Sequence, residues 1–201
     1  MFDEREKVVI LIDGANFYAT AKGLGFDIDY KQFLAAFRKR AYVLRAYYFT
    51  AVVENEDFNS IRPLIDWLDY NGYTVVTKPA RQFTDASGRQ RTMGRMDQEL
   101  SVEAMLLADK ADHFVLCSGS GDYRRLIEAL QSLGKRVTVV STMSTQPPMV
   151  SDDLRRQADA FLDLATLEKE VGRPPRDAPS RPARYGAERR HDEDDDDDYE
   201  D

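Results

Sequence analysis

The sequence predicts an α/β fold, a three-layer α/β/α sandwich around a mainly parallel sheet, and two observations carry that reading. Short apolar runs alternate along the chain with segments of helical periodicity, the signature of βαβ units. The runs are continuously apolar, as expected of strands buried on both faces.

Strands are expected at Val8 to Ile12, Val43 to Phe49, Tyr73 to Thr77, Phe114 to Cys117 and Val137 to Val140. Helices are expected at Tyr30 to Lys39, Ile61 to Asn71, Asp97 to Ala108, Tyr123 to Leu133 and Ser151 to Ala160. Gly72 and Gly134 follow two of these helices as stop signals. One segment breaks the rhythm. Residues 81–95, RQFTDASGRQRTMGR, hold four arginines and one acid around the turn-forming Asp85-Ala86-Ser87-Gly88, which predicts a basic hairpin or loop.

The chain has 201 residues, 42% hydrophobic and 32% charged, enough for one domain over residues 1–172. Beyond it, residues 173–201 run from an Arg- and Pro-rich stretch into HDEDDDDDYED, with too little apolar surface to offset ordering entropy, so this tail is expected to be disordered. The net charge of −8 excludes a wholly basic nucleic-acid coat, and much of it resides in the tail, which carries 6 Arg against 11 acids. The tail is expected to solubilise the chain or, as a weaker alternative, to compete with RNA for the basic segment. A single cysteine, Cys117, with only His113 and His191, excludes an internal disulfide and a structural zinc site. The apolar run near the N-terminus is too short for a signal peptide or a membrane span, so the protein is read as cytoplasmic without a membrane partner. Homo-oligomerisation is left open.

In an open parallel sheet ligands bind beyond the carboxyl ends of the strands, so residues following each strand are the ones to read. After the first strand comes Asp13-Gly14-Ala15-Asn16, with Gly14 expected to permit a tight turn. After the fourth comes Ser118-Gly119-Ser120-Gly121-Asp122-Tyr123, and the basic segment ends in Gly94-Arg95-Met96-Asp97. Three carboxylates from separated parts of the chain would repel one another at one edge unless a hard cation, Mg²⁺ or Mn²⁺, neutralised them. Such a centre can activate water for in-line displacement at phosphorus, and an adjacent basic loop suits a phosphate backbone. Each acid also has a structural reading: Asp13 as a turn residue, Asp97 and Asp122 as helix N-caps. Glu99 and Glu103 read as a solvated helix face, with Glu103 able to line the site from one turn further in. The glycines at 119–121 lack the lysine and spacing of a P-loop, and residues 21–25 do not complete a dinucleotide fingerprint.

The segments VILIDGANFYATAKGLGFDIDY, RPLIDWLDYNGYTVVTKPARQFTDASG, MDQELSVEAMLLA, LCSGSGDYRRLIEALQSLGKRVTVVST and QPPMVSDDLRRQADAFLDL resemble the NYN-domain family of the LabA-like type, over roughly residues 5 to 168. The resemblance implies a PIN-like, FLAP-nuclease-related sandwich and metal-dependent ribonuclease activity on RNA. By that resemblance Asp13 and Asn16 match the family's Asp-Gly-x-Asn signature, Asp97 matches the acid after a Gly-x-x pattern, and Glu103 stands where many members have Asp. Asp122 matches the second acid of a Ser-Gly-Asp-Gly-Asp-Phe motif whose first acid is Ser120 here and whose Phe is Tyr123. The family's Lys before Gly is Met93. Ser120 puts a neutral hydroxyl where the family has a charged ligand. That substitution fits weaker metal binding, reliance on Asp122, an inactive relative that still binds RNA, or a deliberate inactivation.

The sequence therefore assigns Asp13, Asp97 and Asp122 as metal-binding catalytic acids and Asn16, Ser118, Ser120 and Glu103 as positioning residues. Lys78, Arg81, Arg89, Arg91 and Arg95 are assigned to the RNA backbone. The expected activity is a Mg²⁺- or Mn²⁺-dependent endoribonuclease. The alternatives are an RNA-binding regulatory module weakened at Ser120, and a phosphatase or nucleotide hydrolase using the same carboxylates on a small substrate.

Overall fold

The computed structural model describes residues 2–52, 61–84 and 90–173. In chain order these form β1 (Lys7–Asp13), α1 (Gly14–Leu24), α2 (Tyr30–Arg38), β2 (Tyr42–Val52), α3 (Arg62–Tyr70), β3 (Thr74–Pro79), β4 (Arg81–Thr84) and β5 (Gln90–Met93). There follow α4 (Asp97–Leu106), β6 (His113–Cys117), α5 (Arg124–Ser132), β7 (Arg136–Ser141), α6 (Asp152–Gln157), β8 (Ala160–Asp163) and α7 (Glu168–Val171). Six strands pair in the order β3-β2-β1-β6-β7-β8, and every pair is parallel.

Alternation along β1 sorts the core into two layers. Val8, Ile10 and Ile12 join Phe17, Ala21, Phe33, Phe37 and Leu68 of α1, α2 and α3. Val9 and Leu11 face Leu100, Ala104, Ile127, Leu130 and Leu154 of α4, α5 and α6. Helices thus cover both faces, as the sequence predicts. Gly72 and Gly134 take left-handed φ of 88° and 73° at the helix ends where they were expected. The basic segment is an antiparallel hairpin of β4 and β5 forming its own two-stranded sheet. Residues 85–89 of its turn lie outside the described residues, as does the tail from 174 on.

Two elements correct the sequence reading. The expected turn at Asp13-Gly14 is the start of α1, for which no helix was anticipated. Asp13 is its N-cap, Phe17, Thr20 and Ala21 are its buried stripe, and Gly25 at φ 86° closes it. Gly14 is needed for close packing rather than for a turn, because a Cβ there would stand 2.6 Å from Cζ of Tyr48. The helix expected from Ser151 to Ala160 stops at Gln157, and Ala160–Asp163 instead pairs with β7 as the edge strand β8.

Among the described residues no helix is long and apolar enough to cross a membrane.

Candidate metal and phosphate cleft

β1 and β6 are neighbours, yet the chain leaves β1 into α1 on one face and reaches α5, on the other, after β6. This is the topological switch point, where a crevice opens beyond the strand ends. Ile12 pairs in register with Cys117, so the next residues, Asp13 and Ser118, emerge side by side. The Ser118 hydroxyl donates to Asp13 Oδ2 over 3.1 Å, the Tyr123 hydroxyl donates to the same oxygen over 3.3 Å, and the Asn16 backbone N–H reaches Oδ1 at 3.4 Å. Burial pushes the Asp13 carboxyl above its ordinary range; these hydrogen bonds only partly offset it, and the negative charge of Asp97 adds to it.

The Asn16 carboxamide oxygen accepts the Gly119 N–H at 2.9 Å, tying α1 to the loop after β6. Gly119 itself has no room for a side chain, since a Cβ would collide with the Met149 carbonyl, and its own carbonyl accepts the Ser151 N–H. Ser120 caps the short 3₁₀ turn Gly121–Tyr123 and donates its hydroxyl to Asp122 Oδ2 over 3.2 Å. Asp97 is the first residue of α4, behind an N-cap, Met96, that makes no side-chain capping bond. The expectation that Asp97 and Asp122 serve as caps is therefore replaced: α4 starts behind Met96 with no side-chain cap, Ser120 caps the turn that holds Asp122, and both carboxylates face the cleft.

Asp13, Asp97, Asp122, Asn16, Ser120 and Tyr123 line this one open cleft. Arg95 is there as well. Its Nε donates to Asp97 Oδ1 at 3.1 Å and its guanidinium contacts Asp122 Oδ2, so one cation bridges two acids that lie 25 residues apart. Among the described residues no three His, Cys, Asp or Glu side chains converge as a ready cage. The donor set is nonetheless all oxygen, as a hard divalent cation requires.

Lys78 lies beside this cleft, in an adjoining one that it lines with Arg95, Asp97 and Asp122, and is bound bidentately by Glu99 at 2.9 and 3.0 Å, a pair that holds the Glu99 carboxyl below its ordinary range. Glu99 is thus an ion-pair partner and not a solvated face. Glu103 points to the Tyr47 hydroxyl, whose pKa burial and that contact push up to about 12, and it does not line the cleft. The side chains of Arg81, Arg89 and Arg91 lie outside the described residues. Ser118 acts by holding Asp13 and the Ser120 backbone N–H, not from the cleft wall. The sequence does not single out Tyr123, which lines the cleft and donates to Asp13; the signal is the hydroxyl it adds where the resembled motif has Phe.

The fold and this cleft define a parallel α/β protein with an acidic switch-point site. The family model described as the NYN domain matches residues 7–166. The chain is 33% identical over 178 residues to the Low amplitude and bright protein LabA of Synechococcus elongatus, a match covering 86% of this chain and 91% of that one. It belongs to the NYN domain family. A solved structure of a protein of unknown function from Vibrio parahaemolyticus is similar at 28% identity with a TM-score of 0.66, covering 82% of this chain and 96% of that one.

Proposed function

We propose that this chain is a divalent-metal-dependent endoribonuclease that hydrolyses RNA phosphodiester bonds in the switch-point cleft. The observation that carries the reading is the delivery of Asp13, Asp97 and Asp122 to one open cleft from three separated parts of the fold. Asp13, Asp97 and Asp122 would hold Mg²⁺ or Mn²⁺. When bound, such a cation lowers the pKa of water and neutralises charge developing at phosphorus.

The chain's own residues do the rest. Ser118 and Tyr123 fix the Asp13 carboxylate through hydrogen bonds, so that it enters the cleft already oriented. Asn16 holds the Gly119 backbone, and through it the loop that presents Ser120 and Asp122. The Ser120 hydroxyl is within reach of a phosphate oxygen or a water in the same cleft. Arg95 occupies the space between Asp97 and Asp122 as an internal counter-ion, and can pass to a substrate phosphate once those acids have another cation.

A second reading, an RNA-binding regulatory module with weakened catalysis, is favoured by two observations: position 120 is serine, and Arg95 already neutralises two of the three acids. A cleavage gel on labelled single-stranded RNA with added Mn²⁺ tests the leading reading. Cutting by the wild type is expected to fall by about a thousandfold or more in Asp13→Asn combined with Asp97→Asn, the scale of losing metal-centred charge stabilisation. Cleavage that survives the double substitution overturns the assignment.

A further inference from the structure

A second groove lies between α1 and α3, lined by Tyr18, Lys22, Asp27, Pro63, Leu64, Trp67 and Arg173. We infer that this groove stacks a base of single-stranded RNA whose backbone crosses the carboxylate cleft, an inference that rests on the RNA reading of that cleft.

The groove combines the two features that hold single strands without reading sequence: aromatic faces and cations. Tyr18 is 57% exposed although it belongs to the helix that begins the site. Trp67 is half-buried beside it, flanked by Pro63 and Leu64. Lys22 Nζ stands 5.6 Å from the centre of the Tyr18 ring and 2.6 Å from Asp27, and Arg173 adds a second cation, so cations outnumber acids in the groove. An apolar patch alone would not choose among partners. The cations favour a polyanion, and the geometry names the strand that brings it.

α1 is the connection. Ala15 lines the carboxylate cleft, Tyr18 and Lys22 line the groove, and the spacings of three and seven residues place all three on one face of the helix. That face is exposed at each of these positions and spans about 10 Å from Ala15 to Lys22 at 1.5 Å per residue. A strand leaving the cleft along α1 therefore meets Tyr18 first and the cationic end of the groove next. The groove supplies affinity independent of metal, while the cleft supplies the chemistry.

Trp67 is the only tryptophan in the chain and reports on its own groove. The test titrates the full-length protein, in EDTA, with a fluorescein-labelled 12-nucleotide oligouridylate, reading label anisotropy and Trp67 emission together. Expected are a saturable quench of Trp67 that tracks the anisotropy and, in Tyr18→Ala, binding weakened by about tenfold, the scale of one lost base stack. Tyr18 is exposed enough that its removal should leave the far-ultraviolet dichroism and melting curve unchanged. A rise in anisotropy with silent Trp67 and unaltered Tyr18→Ala affinity would overturn the groove assignment and leave the RNA reading intact. Absence of any anisotropy change would overturn both. Trp67 emission that ignores the oligonucleotide but shifts on deleting residues 174–201, or on raising protein concentration, would give the groove to the chain's own C-terminal segment or to a second copy, and overturn the proposal. Quenching without Mn²⁺-dependent cleavage would uphold the groove and count against the nuclease.

Discussion

The two edges of the sheet each gather acids and cations, and they use them in opposite ways. At the amino edge His113, first residue of β6, is buried with both ring nitrogens engaged: Nδ1 lies 3.0 Å from Glu6 and Nε2 2.7 Å from the Thr138 hydroxyl. Nδ1 donating and Nε2 accepting is the tautomer that satisfies both contacts. Glu6 also takes Arg136 at 2.6 Å, and the Phe2 ring stacks over His113 at 5.0 Å. Here His113, Glu6, Thr138 and Arg136 satisfy one another. At the carboxyl edge Asp97 and Asp122 share one arginine, Asp13 is held only by hydrogen-bond donors, and all three face an open cleft. Clustered charge alone therefore does not pick out a candidate site; charge left incompletely partnered at an opening does.

Breaking the amino edge should cost stability and nothing else. His113→Ala removes a buried ring and takes away the ring partner of the buried Thr138 hydroxyl, while the facing Glu6 oxygen keeps the Asp3 N–H, a loss of about 3 kcal/mol in urea unfolding. RNA binding and cleavage per folded molecule should stay at the wild-type level. Altered cleavage would show that the two edges are coupled.

Titration sharpens the contrast. Burial pulls the His113 pKa below 6.5, only partly countered by Glu6, so the unfolded chain takes up a proton that the folded one resists. Stability from this group is complete above pH 6.5 and declines as pH falls toward the folded pKa. Burial would raise Glu6, but hydrogen bonds from His113 and Arg136 outweigh it and hold its carboxyl below 4.5, so its contribution is lost only under more acidic conditions, below 4.5. Urea midpoints should thus fall between pH 7.5 and 5, and His113→Gln should flatten that fall. An unchanged slope in the variant would place the proton elsewhere.

At the carboxyl edge the smallest effect expected is on affinity. Arg95→Gln removes the internal counter-ion from Asp97 and Asp122, and should tighten Mn²⁺ binding several-fold in calorimetry, as opposite charges near partly exposed acids usually allow. Weaker Mn²⁺ binding in this variant would mean that Arg95 orders the acids for the metal and does not compete with it.

The buried strands, the glycine stops and the basic hairpin were legible in the sequence because each rests on local chemistry. So was the place of Asp13 and Asp122 at the carboxyl edge, because the residues after parallel strands open onto that edge; Asp97 joins them in one cleft from the end of the basic hairpin. α1 was not, because Gly14, Gly23 and the nearby Gly25 disguise a helix whose stability comes from packing Phe17 and Ala21 on the sheet. β8 was missed because its four half-buried residues carry no alternation. Arg95 reads in sequence as part of a basic run. That its guanidinium turns back to Asp97 and across to Asp122 is a tertiary fact no spacing displays, and the Lys78 pairing with Glu99 is another.

A divalent-metal centre at the carboxyl edge is open to a direct check by calorimetric Mn²⁺ titration of the wild type beside Ser120→Asp. Saturable binding is expected in the wild type, and tighter binding once a carboxylate replaces the hydroxyl that now contacts Asp122. Binding confined to Ser120→Asp, or absent from both, would contradict it; the first outcome would trace the loss of the metal centre to the hydroxyl at position 120.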